Sequence, residues 1–152
     1  MKFEEYPIIK VYIAEIDKLY RRKRHLPLIF LIGATAELML REITDDLKTG
    51  MRKLIVKAEK TRAISHKRGL LFGEIRMYRN KYTHISANRI LNGEISGLFF
   101  WDENGLMQNV NEIVFNDLSE RTLRRTLQLH IAGNSEISYH TFGKLLRSLR
   151  NR

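Results

Sequence analysis

The chain of 152 residues contains no cysteine. This absence excludes disulfide bonds, cysteine-ligated zinc and a thiol nucleophile, and it fits a reducing compartment. The longest apolar run, residues 26–36, is about 11 residues long and is stopped by Glu37, whereas a membrane-spanning helix needs roughly 20. The first five residues already include two acids, which is not typical of a secretory signal. We therefore expect a cytoplasmic protein with no membrane partner.

Recognisable metal-binding and phosphate-binding motifs are also missing. No two of the five histidines are three or four residues apart, and there is no glycine-rich phosphate loop and no Gly-x-Ser-x-Gly element. The sequence therefore predicts neither a metal site nor a cofactor. The histidines are His25, His66, His84, His130 and His140.

The chain is strongly basic, with a net charge of +10, while 43% of its residues are apolar. The apolar fraction predicts a folded domain with its own core. The charge favours a polyanionic partner such as nucleic acid, with simple solubility as the alternative. Residues 47–68 carry eight cations and one acid, whereas residues 90–120 carry six acids and no lysine or arginine. This asymmetry indicates one face for a polyanion and another that avoids it.

Apolar residues spaced three and four apart predict four helices in the first half of the chain, over residues 3–24, 27–47, 51–62 and 66–84. The second helix is apolar on more than one face and should be central, with Gly33 allowing close packing. Ser65 is expected to cap the fourth helix. In that helix Gly69 and Gly73 would let a neighbour approach closely. The residues predicted to face inward are Leu70, Leu71, Ile75 and Tyr78.

The pattern changes after residue 93. Aromatic and β-branched residues surround Asn104-Gly105, which predicts a small β-hairpin near residues 95–115. The stretch 98–101 is interpreted as the hairpin's core, with base stacking by Phe100 or Trp101 as the alternative. Two more helices should follow, the first ending before Gly133 and the second capped by Ser138. The expected fold is a mainly α, single-domain helical bundle divided into a core (1–90), an acidic hairpin insertion (91–117) and C-terminal helices (118–152).

The sequence "RNKYTH" places three chemically useful side chains within six residues. His84 can transfer protons near neutral pH, and Arg79 can hold a phosphate and stabilise the charge that develops on it. Asn80 can orient an imidazole or a phosphate oxygen. Together they would suit cleavage of RNA by its own 2′-hydroxyl. A solvated helix face is the alternative interpretation.

The spacing of these residues is informative only as a triplet. With 16 arginines and 5 histidines, an Arg five positions before a His is expected roughly 0.5 times, and Arg125 with His130 is a second instance. Requiring Asn directly after the Arg lowers the expectation to roughly 0.03. Asn80 and His84 share a helix face, but Arg79 lies about 140° from His84. The arginine must therefore reach round, or a second chain must complete the site.

On these residues the chain resembles the HEPN (higher eukaryotes and prokaryotes nucleotide-binding) superfamily. "RNKYTH" is similar to the family's Arg-Asn-x-x-x-His motif, and "IFLIGATAELMLREIT" is similar to the helix that precedes the motif helix. The resemblance covers roughly residues 5–90, so the core would be HEPN-like. Many members are metal-independent endoribonucleases that act as toxins or in antiviral defence and dimerise with two motifs in one cleft. Other members are catalytically inert and bind nucleic acid, nucleotide or protein.

The resemblance implies that Arg79 and His84 are catalytic and that Asn80 supports them. It also implies that the chain forms a homodimer and has an antitoxin or a defence-system protein as a partner. In toxins controlled by a nucleotidyltransferase, a modified Tyr follows two residues after the His; Ser86 at that position does not favour this control. The acidic stretch 90–120 is interpreted either as a solvated hairpin or as a segment that docks against a basic groove, its own or a neighbour's, and limits access of RNA. The expected RNA-binding residues, for which a solvated face is the alternative, are Arg76, Lys81, Lys57, Lys60, Arg62, Lys67 and Arg68.

Overall fold

Five helices and two short strands make up the part of the chain that the computed structural model describes, residues 5–83, 99–101, 107–109 and 120–150. The chain is mainly α-helical, as predicted. The helices are α1 (Pro7–Arg21), α2 (His25–Thr44), α3 (Met51–Lys60), α4 (His66–Thr83) and α5 (Glu120–Arg150), and the strands are β1 (Phe99–Trp101) and β2 (Met107–Asn109).

Helix α2 ends at Thr44, three residues earlier than the sequence predicts. Asp45 adopts a left-handed conformation with φ of 50°, which stops the helix because the next residues can no longer continue its hydrogen bonds. The Asp46 carboxylate then accepts the backbone N–H groups of Lys48 and Thr49 at 3.1 and 3.0 Å. Asp46 therefore organises the turn that leads to α3.

The start of α4 is held as the sequence predicts. The Ser65 hydroxyl accepts the backbone N–H of Arg68 at 3.3 Å, which satisfies one of the unpaired donors of the first helical turn. The short basic helix α3 is also confirmed, at residues 51–60. A local capping signal therefore defines where α4 begins.

Helix α2 is central, as predicted, because it packs against each of the other four helices. Its contribution to the core is the largest of any described helix. The other helices cover it with smaller apolar faces, among them Phe72 and Ile75 of α4 and Phe142 and Leu145 of α5. The buried residues of α2 are Leu28, Ile29, Ile32, Gly33, Thr35, Ala36, Met39 and Leu40.

Helices α4 and α5 run antiparallel along their whole contact. Three polar contacts mark this register. As the residue number falls along α4, the number of its partner on α5 rises by almost the same amount. The C-terminal end of α4 therefore meets the first half of α5, and its N-terminal end meets the last turns of α5. The contacts are Tyr82 with Asn134, Glu74 with Thr141 and Arg68 with Ser148.

The predicted division of residues 118–152 into two helices is wrong. Helix α5 is continuous from Glu120 to Arg150 and passes through Gly133, while Ser138 is fully buried in its middle and caps nothing. Glycine inside a helix costs only about 1 kcal/mol relative to alanine. Contacts of His130, Asn134 and Ser135 with α2 and α4 lie on both sides of Gly133 and outweigh that cost.

The predicted inward face of α4 is partly wrong. Ile75 and Tyr78 are buried, but Leu70 is 60% exposed. Phe72, which was not among the residues predicted to face inward, is fully buried. At 100° per residue Leu70 lies about 160° round the helix from Phe72. The buried side of α4 is therefore centred on Phe72 and Ile75, and Leu70 is on the opposite side.

Strands β1 and β2 pair antiparallel, with Phe99 opposite Asn109 and Trp101 opposite Met107. The predicted turn at Asn104-Gly105 lies outside the described residues. The hairpin near residues 95–115 and the role of its aromatic side chains therefore stay predictions. Among the described helices, none has a segment both long and apolar enough to span a bilayer.

Candidate active site

The Arg79 side chain extends from α4 onto α2, where it contacts Glu37 and Gly33. Its Nη1 donates to Glu37 Oε2 at 2.6 Å, and the Arg79 side chain is 21% exposed. The aliphatic part of the side chain lies over Gly33: a Cβ atom built there would sit 2.5 to 2.9 Å from the Cβ, Cγ and Cδ of Arg79. The prediction that Gly33 allows close packing is confirmed, since only glycine leaves room for this arginine.

Glu37 holds a second arginine in addition to Arg79. Arg41 Nη2 donates to Glu37 Oε1 at 2.7 Å, so each carboxylate oxygen serves one guanidinium. Burial acts to raise the pKa of Glu37, but the hydrogen bonds and charges of Arg79 and Arg41 outweigh it and hold the pKa below its usual range. Glu37 therefore stays ionised, and the three groups together carry one net positive charge.

Of the other two residues of the motif, the structure describes Asn80 alone. Asn80 is half-buried, and its side chain makes no hydrogen bond within the part of the chain that the structure describes. His84 lies outside the described residues, so the predicted convergence of Arg79 and His84 stays a prediction. The structure shows only that the Arg79 guanidinium turns towards α2.

A second polar cluster lies three residues along α4 from Arg79. Asn134 Nδ2 donates to the Tyr82 hydroxyl at 2.5 Å, and that hydroxyl lies 3.0 Å from His130 Nδ1. Asn134 Nδ2 is also 2.9 Å from His130 Nδ1. Burial raises the pKa of Tyr82, and the bond from Asn134 opposes this without cancelling it. The neutral phenol can therefore donate its proton to His130 Nδ1, which ties the motif end of α4 to α5.

This cluster could not be predicted from local sequence, because Gly133 suggests a helix that ends near His130. One signal was available: His130 and Asn134 are four residues apart and share a face of any helix that continues through Gly133. The contact of Arg79 with Glu37 was not predicted for a different reason, since Glu37 is 42 positions earlier in the chain. No local spacing links those two residues.

Most of the predicted RNA-binding cations lie around the junction of α3 and α4, where Arg62 and Arg68 line one pocket together with Glu59. Lys60, Arg62 and Lys67 are exposed, and Lys57 is paired with Asp46 at 3.0 Å. Arg68 is bonded to Ser148 of α5.

Arg76 and Lys81, the two predicted cations nearest the motif, are half-buried. Lys81 Nζ lies 5.2 Å from the centre of the Tyr78 ring, within the range of a cation–π interaction. The cations thus occur in two regions: the junction of α3 and α4, and the motif end of α4.

Within the described residues, no three histidine, aspartate or glutamate side chains lie close enough together to hold a metal ion. Comparison of the chain with protein-family models, with curated proteins and with solved structures gave no match. The function must therefore be argued from the residues themselves.

Proposed function

We propose that the chain is a metal-independent endoribonuclease of the HEPN type, acting as a toxin or in antiviral defence. The observation that carries the proposal is the Arg79–Glu37 pair: it fixes a guanidinium of the Arg-Asn-x-x-x-His motif in one orientation while leaving part of the side chain accessible. A pre-oriented guanidinium stabilises charge that develops on a phosphate at little reorganisation cost.

In the proposed reaction, the 2′-oxygen of the RNA attacks the adjacent phosphorus and the bond from phosphorus to the 5′-oxygen breaks. The products are a 2′,3′-cyclic phosphate and a free 5′-hydroxyl. His84 would transfer a proton, removing it from the 2′-hydroxyl or supplying it to the leaving 5′-oxygen. Arg79 would stabilise the charged phosphorane-like transition state, and Asn80 would orient a phosphate oxygen or the imidazole.

We propose that the enzyme works as a homodimer, because the concerted reaction needs one group to remove a proton and another to supply one. The exposed side of α4 offers a surface for a second copy. Leu70 and Met77 are 60% and 46% exposed there, and Gly73 between them has open space beyond its Cα. A two-fold axis beside this surface and parallel to α4 would bring the two motif ends together.

The dimer can be tested with Leu70→Lys/Met77→Lys, which should shift the mass measured by light scattering to that of a monomer and abolish cleavage. Leu47→Lys is the matched control, since Leu47 is 75% exposed and lies outside α4. A wild-type monomer that cleaves RNA would contradict the dimer.

The alternative function is an inert HEPN-type module that binds nucleic acid, nucleotide or a protein partner. The ion pair of Arg79 with Glu37 also joins α4 to α2, and the inert module would need Arg79 only for this packing. The two functions differ in His84, which the enzyme requires and the module does not.

The deciding experiment incubates purified protein with single-stranded RNA in EDTA. The enzyme should produce 2′,3′-cyclic phosphate ends, and His84→Ala should abolish them. His66→Ala, at the start of α4, is the control, because its side chain is 77% exposed. An RNA with 2′-deoxyribose at the cleaved position should also resist. Binding of RNA without cleavage, unchanged in His84→Ala, would establish the inert module.

A further inference from the structure

A groove of about 400 Å³ lies between the start of α4 and the last turns of α5, at the opposite end of α4 from Arg79. Four of its six lining side chains are cationic. The lining residues are Lys67, Arg68, Leu71, Lys144, Arg147 and Ser148.

Arg68 is fixed in this groove by uncharged partners. Its Nε donates to Ser148 Oγ at 2.8 Å and its Nη2 donates to the Ser148 carbonyl at 2.6 Å. These bonds orient the guanidinium without neutralising it. In the part of the chain that the structure describes, none of the four cations forms an ion pair with a carboxylate. The groove therefore concentrates positive charge that the fold leaves uncompensated.

We propose that this groove binds backbone phosphates of single-stranded RNA a few nucleotides away from the cleaved bond. The inference rests on the proposed function, because it takes RNA as the substrate. Lysines and arginines that neutralise phosphates supply most of the sequence-independent affinity for nucleic acid. The groove adds Lys144 and Arg147 to the RNA-binding residues that the sequence predicts, and it gives Lys67 and Arg68 a common site.

The geometry of α4 sets the length of RNA that can use both sites. Arg68 and Arg79 are 11 residues apart, which corresponds to about 16 Å along the helix. At roughly 3.4 Å per nucleotide of a stacked strand, this distance is about five nucleotides. A dinucleotide can therefore occupy the motif without reaching the groove, whereas a longer strand can occupy both.

The test compares Lys144→Gln/Arg147→Gln with the control pair Lys10→Gln/Arg22→Gln, which removes the same charge from exposed positions of α1 and its C-terminal cap. The probe is a single-stranded RNA of about twelve nucleotides, 2′-O-methylated so that it binds without being cleaved. The groove pair should lose about tenfold in affinity near physiological salt, and the slope of log affinity against log salt should fall by about 1.4, since each lost phosphate contact contributes about 0.7. The control pair should change both quantities much less.

Equal losses of RNA affinity in the groove pair and the control pair would contradict the proposed binding site, because the effect would then come from net charge alone. If the groove pair proves unstable in thermal unfolding, Lys67→Gln/Lys144→Gln makes the same test, since both lysines are exposed. With cleavable RNA the groove pair should raise KM for the long strand and leave KM for a dinucleotide unchanged. A wild-type protein that binds RNA through the groove but does not cleave it would contradict the proposed activity alone, whereas cleavage with an unaltered KM would contradict the groove alone.

Discussion

The two ends of α4 hold their arginines in opposite ways. At the motif end, Arg79 is bonded to the carboxylate of Glu37, whereas at the other end Arg68 is bonded only to the hydroxyl and carbonyl of Ser148 among the described residues. Both guanidiniums are fixed, but only the charge of Arg68 is left without a carboxylate. A compensated guanidinium is suited to a defined position in a reaction, and an uncompensated one is suited to attracting a polyanion.

The contacts at the two ends of α4 also require α5 to be continuous. Asn134 bonds Tyr82 near the motif end of α4, and Ser148 bonds Arg68 at the other end. One uninterrupted helix therefore fixes the relative position of the motif and the basic groove. A break at Gly133 would have separated the contact of His130 from that of Asn134.

The largest expected effect comes from removing the guanidinium at the motif end. Arg79→Ala should lower kcat by about 10²- to 10³-fold, the usual loss when a donor to a developing negative charge is removed. Lys67→Ala removes the same charge from the other end and should leave kcat unchanged. Single-turnover cleavage of RNA in EDTA measures both. Equal losses of kcat in the two variants would contradict the claim that only the motif end of α4 takes part in the reaction.

The next effect is on stability. In Gly33→Ala the new methyl group would collide with the Arg79 side chain, which must move away from Glu37. We expect a loss of about 1–3 kcal/mol, as for other overpacked sites. Gly133→Ala is the control, because nothing lies within 4 Å of the added Cβ there and the position is outside the proposed dimer surface. Urea unfolding measures both; a Gly33→Ala protein as stable as wild type would show that Arg79 is not held over Gly33.

Glu37→Gln removes the carboxylate charge that pairs with Arg79 and Arg41. It should lower the free energy of unfolding by about 1–2 kcal/mol near pH 7, between the values for exposed and buried charged pairs. Because the folded protein lowers the pKa of Glu37 from its ordinary value of 4.5, its stabilising contribution is present above that pH and is lost as the pH falls through the lowered pKa. Wild type and variant should therefore differ in free energy of unfolding near neutrality and converge in acid. A difference that persists unchanged at pH 3 would contradict this account.

The smallest effect is expected at Gly133, and its sign carries the information. In a continuous α5, Gly133→Ala should stabilise the protein by about 0.5–1 kcal/mol, because alanine is the better helix former and the site is open. If Gly133 ended a helix in the left-handed conformation, the same change would destabilise it. Thermal unfolding distinguishes a rise from a fall in Tm.

Helices α1 to α4 could be predicted closely from the sequence, because apolar periodicity and local signals such as Ser65 determine them. The C-terminal half could not, since Gly133 looks like a stop signal when only neighbouring residues are considered. Tertiary contacts of His130 and Asn134 override it. The motif itself was visible, but Arg79's partner Glu37, the Tyr82–His130–Asn134 cluster and the groove all depend on side chains far apart in sequence.

The most direct test of the division between the two ends is a measurement of kcat and KM for one single-stranded RNA in EDTA. The enzymes compared are wild type, Arg79→Ala and Lys144→Gln/Arg147→Gln. The account predicts that wild type cleaves, that Arg79→Ala loses kcat, and that the groove pair raises KM while kcat is retained. No cleavage by wild type, or the same parameter changed in both variants, would contradict it.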